Sequence, residues 1–134
     1  YLYNDPYSVK LPSGKKLSFE YTTNFKVTSD QDGVVVLTAG DYNSTVKLYY
    51  GKPVVVNTNC LSESVKQTIK FDGLVAEYRS YQNEKTNELQ CSEVNGMEII
   101  EVSVNGEKVF LEFNSMISVD DRILLLAKSM KIQS

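Results

Sequence analysis

Two cysteines, Cys60 and Cys91, are the residues of this sequence best suited to covalent chemistry. The chain contains no histidine, so the pair lacks the usual companion ligands of a metal site and a disulfide is the better interpretation. Two unrelated buried thiols are the alternative. Closing the loop between the two residues would stabilise the fold by roughly 3–4 kcal/mol. We therefore predict a Cys60–Cys91 disulfide and an oxidising, extracytoplasmic environment.

The absence of histidine also limits catalysis and metal binding. Ser-His and Cys-His dyads are excluded, and so are zinc and iron sites built on imidazole. The sequence has no P-loop and no Gly-x-Gly-x-x-Gly stretch. Asp30-Gln31-Asp32-Gly33 is similar to the start of a calcium loop, but no bidentate Glu follows at the required distance, which favours a solvated turn. We expect no cofactor and no metal.

Neighbouring carboxylates are the remaining candidates for acid–base chemistry. Glu98 with Glu101 and Asp120 with Asp121 are two such pairs. Their positions indicate a sheet face and a helix cap, so structural roles are the better interpretation. We predict that the protein is not an enzyme, and a small carboxylate-dependent hydrolase is the least favoured hypothesis.

Tyrosine is in excess, with nine residues in a chain that has no tryptophan. An exposed tyrosine is typical of interfaces because it is apolar with a polar tip, although half-buried structural tyrosines are the alternative. The predicted interface residues are Tyr1, Tyr3, Tyr42 and Tyr49. A further hypothesis is that the Tyr1-Leu2-Tyr3 tail adds a strand to the sheet edge of a neighbouring molecule.

Length and composition predict one domain over residues 1–134, with residues 1–6 as a flexible or docking tail. The net charge of −3 and the scattered basic residues argue against nucleic acid as a partner. No apolar run approaches membrane-spanning length. The chain begins with Tyr1 and not Met, so we expect either a processed or a trimmed chain, from which any signal peptide or anchor has gone, and Asn43 starts a glycosylation sequon. These features predict a secreted or cell-surface protein.

The last third of the chain predicts the elements that organise the fold. Asn105-Gly106 lies between two apolar runs and is the preferred pair for a type I′ turn. This turn fixes the register of a hairpin in which Ile100 faces Leu111. Beyond it, Ser118 is a good N-cap for a C-terminal helix. Its apolar stripe, wide enough to cover a sheet, consists of Val119, Ile123, Leu124, Leu125, Leu126, Ala127 and Met130.

Upstream, alternating apolar residues predict strands within 7–11, 17–27, 34–39, 46–50, 54–56, 74–81 and 86–94. Between residues 59 and 71 the period changes, because Leu61, Val65 and Ile69 share one helical face and Asp72-Gly73 can end a helix. The predicted fold class is α+β: a twisted antiparallel sheet of six or seven strands, with a short middle helix and the C-terminal helix packed on it.

Four stretches resemble the PsbP-like family. They are YSVKLPSG at residues 7–14, GVVVLT at 33–38, VFLEFN at 109–114 and SMKI at 129–132. The family includes extrinsic subunits of photosynthetic complexes, Ran-binding relatives and secreted prokaryotic proteins of unknown role. The resemblance implies a non-catalytic binding or accessory domain, and it carries no site residue to this chain.

From these features we predict a non-enzymatic extracytoplasmic accessory or binding domain that acts through protein–protein contacts. The alternative is a structural subunit of a surface filament or coat, in which the aromatic tail drives self-association. The partner is not identified by the sequence.

Overall fold

The computed structural model of the protein describes residues 1–40, 44–114 and 121–133. These residues form two antiparallel sheets and one α-helix. The strands are β1 (Tyr7–Lys10), β2 (Lys16–Phe19), β3 (Phe25–Gln31), β4 (Val34–Ala39), β5 (Thr45–Tyr50), β6 (Leu61–Phe71), β7 (Leu74–Asn83), β8 (Met97–Val104), β9 (Glu107–Asn114) and β10 (Lys131–Gln133), and the helix is α1 (Asp121–Ser129). The large sheet has the order β3-β4-β5-β9-β8-β7-β6, and the small sheet has the order β1-β2-β10.

The α+β prediction was therefore wrong, because the described chain is mostly β and divides its strands between two sheets. The middle helix was also wrong: residues 61–71 form β6, an edge strand that pairs with β7 along its whole length. Asp72 and Gly73 have φ angles of 47° and 89°, which suit a two-residue turn between antiparallel strands. In this hairpin the backbone N–H and C=O groups on one side of β6 are hydrogen-bonded to β7. These bonds favour a strand over the helix that the spacing of the few apolar residues suggested.

The same type of turn occurs at three places in the large sheet. Asn105-Gly106 joins β8 to β9 with φ angles of 49° and 82°, and Ile100 pairs with Leu111, so the predicted hairpin and its register are confirmed. Asp32-Gly33 joins β3 to β4 with φ angles of 55° and 80°. The stretch that is similar to a calcium loop is thus a hairpin turn, as the sequence favoured.

Three smaller differences concern the connections. Residues 54–56 and 86–94 are not strands, and the second range instead contains a short 3-10 turn at Leu89–Cys91. The C-terminal helix ends at Ser129, after which β10 pairs with β2 and completes the small sheet. The predicted cap Ser118 and the neighbouring Asp120 lie outside the described residues.

One face of the large sheet, which we call the inner face, forms half of the core. Val35, Leu48, Leu111 and Ile100 lie side by side on four adjacent strands, and each is 0% exposed. The other half comes from the small sheet and α1, through the buried residues Val9, Leu17, Phe19, Ile123, Leu126 and Ala127. The C-terminal helix therefore packs into the core as predicted.

The opposite, outer face of the large sheet carries a different row of residues. Val36, Lys47, Glu112, Ile99 and Arg79 follow one another across it. No strand of the small sheet and no part of α1 provides a second layer on this side among the described residues. The connection from β5 to the edge strand β6, residues 51–60, must cross three strands, and it does so along this face.

We predict that Gly51→Ala destabilises the protein more than Gly14→Ala does. Both glycines have positive φ angles, 79° and 88°, so an alanine is strained at either position, by about 1–2 kcal/mol. A Cβ at Gly51 would also lie 2.6 Å from Cγ of Pro12, whereas a Cβ at Gly14 would meet nothing within 4 Å. Urea unfolding of the two variants measures the difference, and equal losses would contradict a tight Gly51–Pro12 contact.

Candidate functional site

The disulfide predicted from the sequence is present and ties two connecting segments together. Cys60 and Cys91 are bonded, their Cα atoms lie 5.4 Å apart, and they are 4% and 0% exposed. Cys60 ends the 51–60 connection, and Cys91 lies in the loop between β7 and β8. The disulfide therefore fixes the end of the 51–60 connection against the β7–β8 loop.

Hydrogen bonds from neighbouring side chains hold the β7–β8 loop in place. The Asn83 side-chain amide donates to the carbonyl oxygens of Cys91 and Val94, at 2.7 and 2.8 Å. Nζ of Lys85 donates to the carbonyl oxygen of Asn59 at 3.1 Å, which adds a second link between the loop and the 51–60 connection. Both segments are thus held by several bonds in addition to the disulfide.

Between these two segments the outer face forms an open cleft of about 470 Å³. We call it the outer cleft. Its floor comes from β5, β8 and β9, and its walls come from the 51–60 connection and residues 94–96. The lining residues are Thr45, Lys47, Tyr49, Val55, Asn57, Leu61, Val94, Asn95, Gly96, Met97, Glu112, Phe113 and Asn114. The disulfide joins the two segments from which these walls come.

Tyr49 and Glu112 form the central polar pair of the outer cleft. Oη of Tyr49 donates a hydrogen bond of 2.8 Å to Oε1 of Glu112. Burial raises the pKa of Tyr49 above its ordinary value, and the bond to Glu112 raises it further. Lys47 precedes Tyr49 by two residues on the same face. The cleft is therefore lined by two hydroxyls, a carboxylate, an ammonium group and several asparagine side chains.

The structure separates the predicted interface tyrosines. Tyr49 is half-buried in the outer cleft, while Tyr1 and Tyr3 are 74% and 42% exposed. Tyr42 and the sequon residue Asn43 lie outside the described residues.

The tail that carries Tyr1 and Tyr3 is attached to the chain's own backbone. Tyr3 bridges to Thr22, and the amide of Thr23 donates to the carbonyl oxygen of Leu2 at 3.0 Å. One edge of the tail is therefore already occupied within the molecule, and it is not available to a neighbour's sheet in this arrangement.

The carboxylates paired in the sequence are apart in the structure. Glu98 lies on the inner face, 7% exposed, and accepts a hydrogen bond from the hydroxyl of Tyr78. Burial raises the pKa of Glu98, and the bond from Tyr78 partly offsets the effect. Glu101 lies on the outer face, where Arg79 and Lys108 are 3.4 and 3.6 Å away. The two groups therefore form no acid–base pair.

A further carboxylate, Asp30, connects the two sheets. Its Oδ2 accepts a bond of 2.6 Å from Tyr7 in the small sheet, and its Oδ1 accepts one of 2.8 Å from Tyr50 in the large sheet. The bond to Asp30 is the main cause that raises the pKa of Tyr7 to about 12. Burial is the main cause that raises the pKa of Tyr50 to about 12, and the hydrogen bond to Asp30 is the second cause. The sequence did not reveal this arrangement, since the three residues lie on different strands.

This arrangement predicts a loss of stability in alkali. A tyrosine whose pKa is raised by folding stabilises the protein fully below its unfolded pKa of about 10, and this contribution is lost as the pH rises towards the folded value. In Asp30→Asn the pKa values of Tyr7 and Tyr50 should fall towards 10. That of Tyr78, raised to about 12 by burial and Glu98, should stay high and serves as the internal control. An NMR titration of the assigned tyrosine ring carbons measures all three separately, and unchanged values for Tyr7 and Tyr50 would contradict the bridge.

In the part of the chain that the structure describes, no group of three or more Asp, Glu, Cys or His side chains is placed to hold a metal ion. None of the described helical residues forms a segment long and apolar enough to cross a membrane. No protein-family model, curated protein or solved structure matches this chain. The PsbP-like resemblance therefore stays a prediction.

Proposed function

We propose that this protein is an extracytoplasmic, non-enzymatic binding domain that recognises an extended segment of a protein partner in the outer cleft. The placement of the cleft carries the proposal: it lies on the outer face of the large sheet beside the 51–60 connection, and the Cys60–Cys91 disulfide joins the two segments that carry its walls. A ligand site needs walls that are already in place, because ordering them on binding weakens the affinity.

The lining of the outer cleft supports a polypeptide rather than a small apolar ligand. Small-molecule sites are mostly apolar and enclosed, with few polar groups. This cleft is open and has polar side chains on every side, including Asn57, Asn95 and Asn114. Asparagine side chains can donate to and accept from the backbone of an extended peptide. Tyr49 and Met97 supply the aromatic and thioether contacts that are common at protein interfaces.

The proposed extracytoplasmic location rests on the disulfide. Such bonds persist in oxidising compartments and are rare where glutathione and thioredoxin keep thiols reduced. Cys60 and Cys91 are both buried, so their bond is part of the folded core of this region. Glycosylation at Asn43 would support the same location, and mass measurement of the protein isolated from its source would detect it.

A library of random peptides displayed on phage tests the proposal. Peptides selected on the immobilised domain should bind about tenfold more weakly, or by about 1.4 kcal/mol, to Val55→Asp and to Asn57→Ala, because these changes place an unpaired charge in one wall of the cleft and remove a side-chain amide from it. Val55 is 87% exposed, so its replacement changes the wall of the cleft without disturbing the core.

The matched control is Val75→Asp, which places the same charge on an exposed valine of β7. Val75 is 61% exposed and is not among the residues that line the cleft. Selected peptides should bind this variant as tightly as the original domain. Peptides that bind the cleft variants and the control equally well would refute the proposal.

Exposure of Tyr1 and Leu2 favours the alternative of a filament or coat subunit, but the backbone of the tail already hydrogen-bonds to residues 21–23 of its own chain. Size-exclusion chromatography over a range of concentrations would revive it if the protein self-associates and loses that association when residues 1–6 are deleted.

A further inference from the structure

The small sheet turns one face towards the core and the other towards solvent, and the solvent-facing side has an unusual composition. Val9, Leu17 and Ile132 point inward and pack with the core. Because side chains alternate along a strand, the residues on either side of these three point outward. The six outward residues are Ser8, Lys10, Lys16, Ser18, Lys131 and Gln133. We call this surface the lysine face.

Three of the six residues are lysines and none is acidic, although the whole chain carries a net charge of −3. Lys10 on β1 is directly opposite Lys16 on β2. Lys131 on β10 is opposite Ser18, which is two residues from Lys16 on β2, so Lys131 and Lys16 are diagonal neighbours. All three lysines are exposed, and no carboxylate pairs with any of them among the residues that the structure describes. Asp5 precedes β1 and Glu20 follows β2; Glu20 lines a surface pocket together with Lys131 but forms no ion pair with it.

Two lysines placed directly opposite each other in an antiparallel pair repel and weaken the pairing. Nothing within the described chain compensates for this repulsion, whereas Arg79 on the large sheet is surrounded by three carboxylates, those of Glu63, Glu77 and Glu101. The lysine face therefore presents three exposed positive charges that form no ion pair within the described chain and are accessible to an external anion.

We propose that the lysine face binds an anionic polysaccharide that carries sulfate, phosphate or carboxylate groups. Opposed lysines on adjacent strands lie about 5 Å apart at their Cα atoms, and diagonal ones about 7–8 Å, so the three ammonium groups suit closely spaced anions along a polymer. The hydroxyls of Ser8 and Ser18 and the amide of Gln133 supply the donors and acceptors that sugar hydroxyls need.

The same composition argues against a membrane as the ligand. Binding at a bilayer surface combines basic residues with apolar or aromatic side chains that enter the interface. The lysine face has no such side chain at any of its six outward positions. The lysine face also lies on the opposite side of the molecule from the outer cleft, because the inward face of the small sheet and the inner face of the large sheet pack against each other in one core. One domain can therefore hold a polymer and a protein partner at once.

Dextran sulfate is the probe, with neutral dextran as the negative control. The domain should bind dextran sulfate with an affinity that falls as salt rises, and it should not bind dextran. The variant K10Q/K16Q/K131Q should bind roughly a hundredfold more weakly, about fivefold for each lysine lost. Its thermal midpoint should be unchanged or raised, because the repulsion between Lys10 and Lys16 has been removed.

The matched control is K26Q/K66Q/K70Q, which removes three exposed lysines from the edge strands β3 and β6 and changes the net charge by the same amount. It should keep most of the affinity. An equal loss in the two triple variants would overturn the proposal, because net charge alone would then explain the binding. Tighter binding to vesicles of phosphatidylglycerol and phosphatidylcholine, or to duplex DNA, than to dextran sulfate would overturn it as well.

Discussion

The variant Cys60→Ser/Cys91→Ser should lose about 3–4 kcal/mol of unfolding free energy, because the bond closes a loop in the unfolded chain whose ends are 31 residues apart. Urea unfolding of the variant and of the oxidised protein measures the loss. Reductant should lower the stability of the original protein by a similar amount, and it should leave the stability of the double variant unchanged, which is the internal control.

The same variant also tests how the outer cleft is held. Without the bond, the hydrogen bonds of Asn83 and Lys85 still hold the β7–β8 loop. We expect peptides selected on the oxidised domain to bind the double variant more weakly even at temperatures where it is fully folded. Unchanged stability, or full affinity with the bond removed, would show that the disulfide does not control this region.

The second large effect concerns the small sheet. Phe19→Ala should lower the unfolding free energy by about 3–5 kcal/mol, as is usual when a buried aromatic side chain is truncated. Phe19 is 1% exposed and lies between Tyr7 and Tyr21, with ring centroids 5.8 and 6.1 Å away. Denaturant unfolding measures the loss.

The control for Phe19→Ala is Leu89→Ala, which removes a large apolar side chain that is 91% exposed. A surface truncation of this kind should change the unfolding free energy by no more than about 0.5 kcal/mol. If Phe19→Ala is equally mild, the small sheet does not pack on the large one as described. The comparison therefore tests the two-layer arrangement on which the outer cleft and the lysine face both depend.

Several features were predictable because a few adjacent residues determine them. Asn105-Gly106 has a strong preference for the left-handed conformations of a type I′ turn, and this preference alone fixed the hairpin and its register. The pair Asp72-Gly73 sends the same signal, but we interpreted it as the end of a helix. The reason is that β6 is an edge strand, exposed on most of its length, so Leu61, Val65 and Ile69 recur only every four residues, a spacing that a helix also gives.

The candidate site could be predicted only in part. Two cysteines without histidine predicted the disulfide, and the excess of tyrosine drew attention to Tyr49, which lines the outer cleft. The asparagines of the cleft gave no signal, because Asn57, Asn95 and Asn114 are unremarkable in any single segment. Their proximity arises from the crossing of residues 51–60 over the sheet, which no local pattern encodes.

The sequence by itself determined the turns, the disulfide and the amphipathic C-terminal helix, since each depends on backbone preference, redox chemistry or periodicity within a short stretch. Only the tertiary structure decided that the strands divide between two sheets and which side of each sheet faces solvent. Long-range pairing decides these matters: β10 joins β2 across more than 110 residues, between Lys131 and Ser18. That pairing brings Lys10, Lys16 and Lys131 onto one face, although their positions in the sequence make them look dispersed.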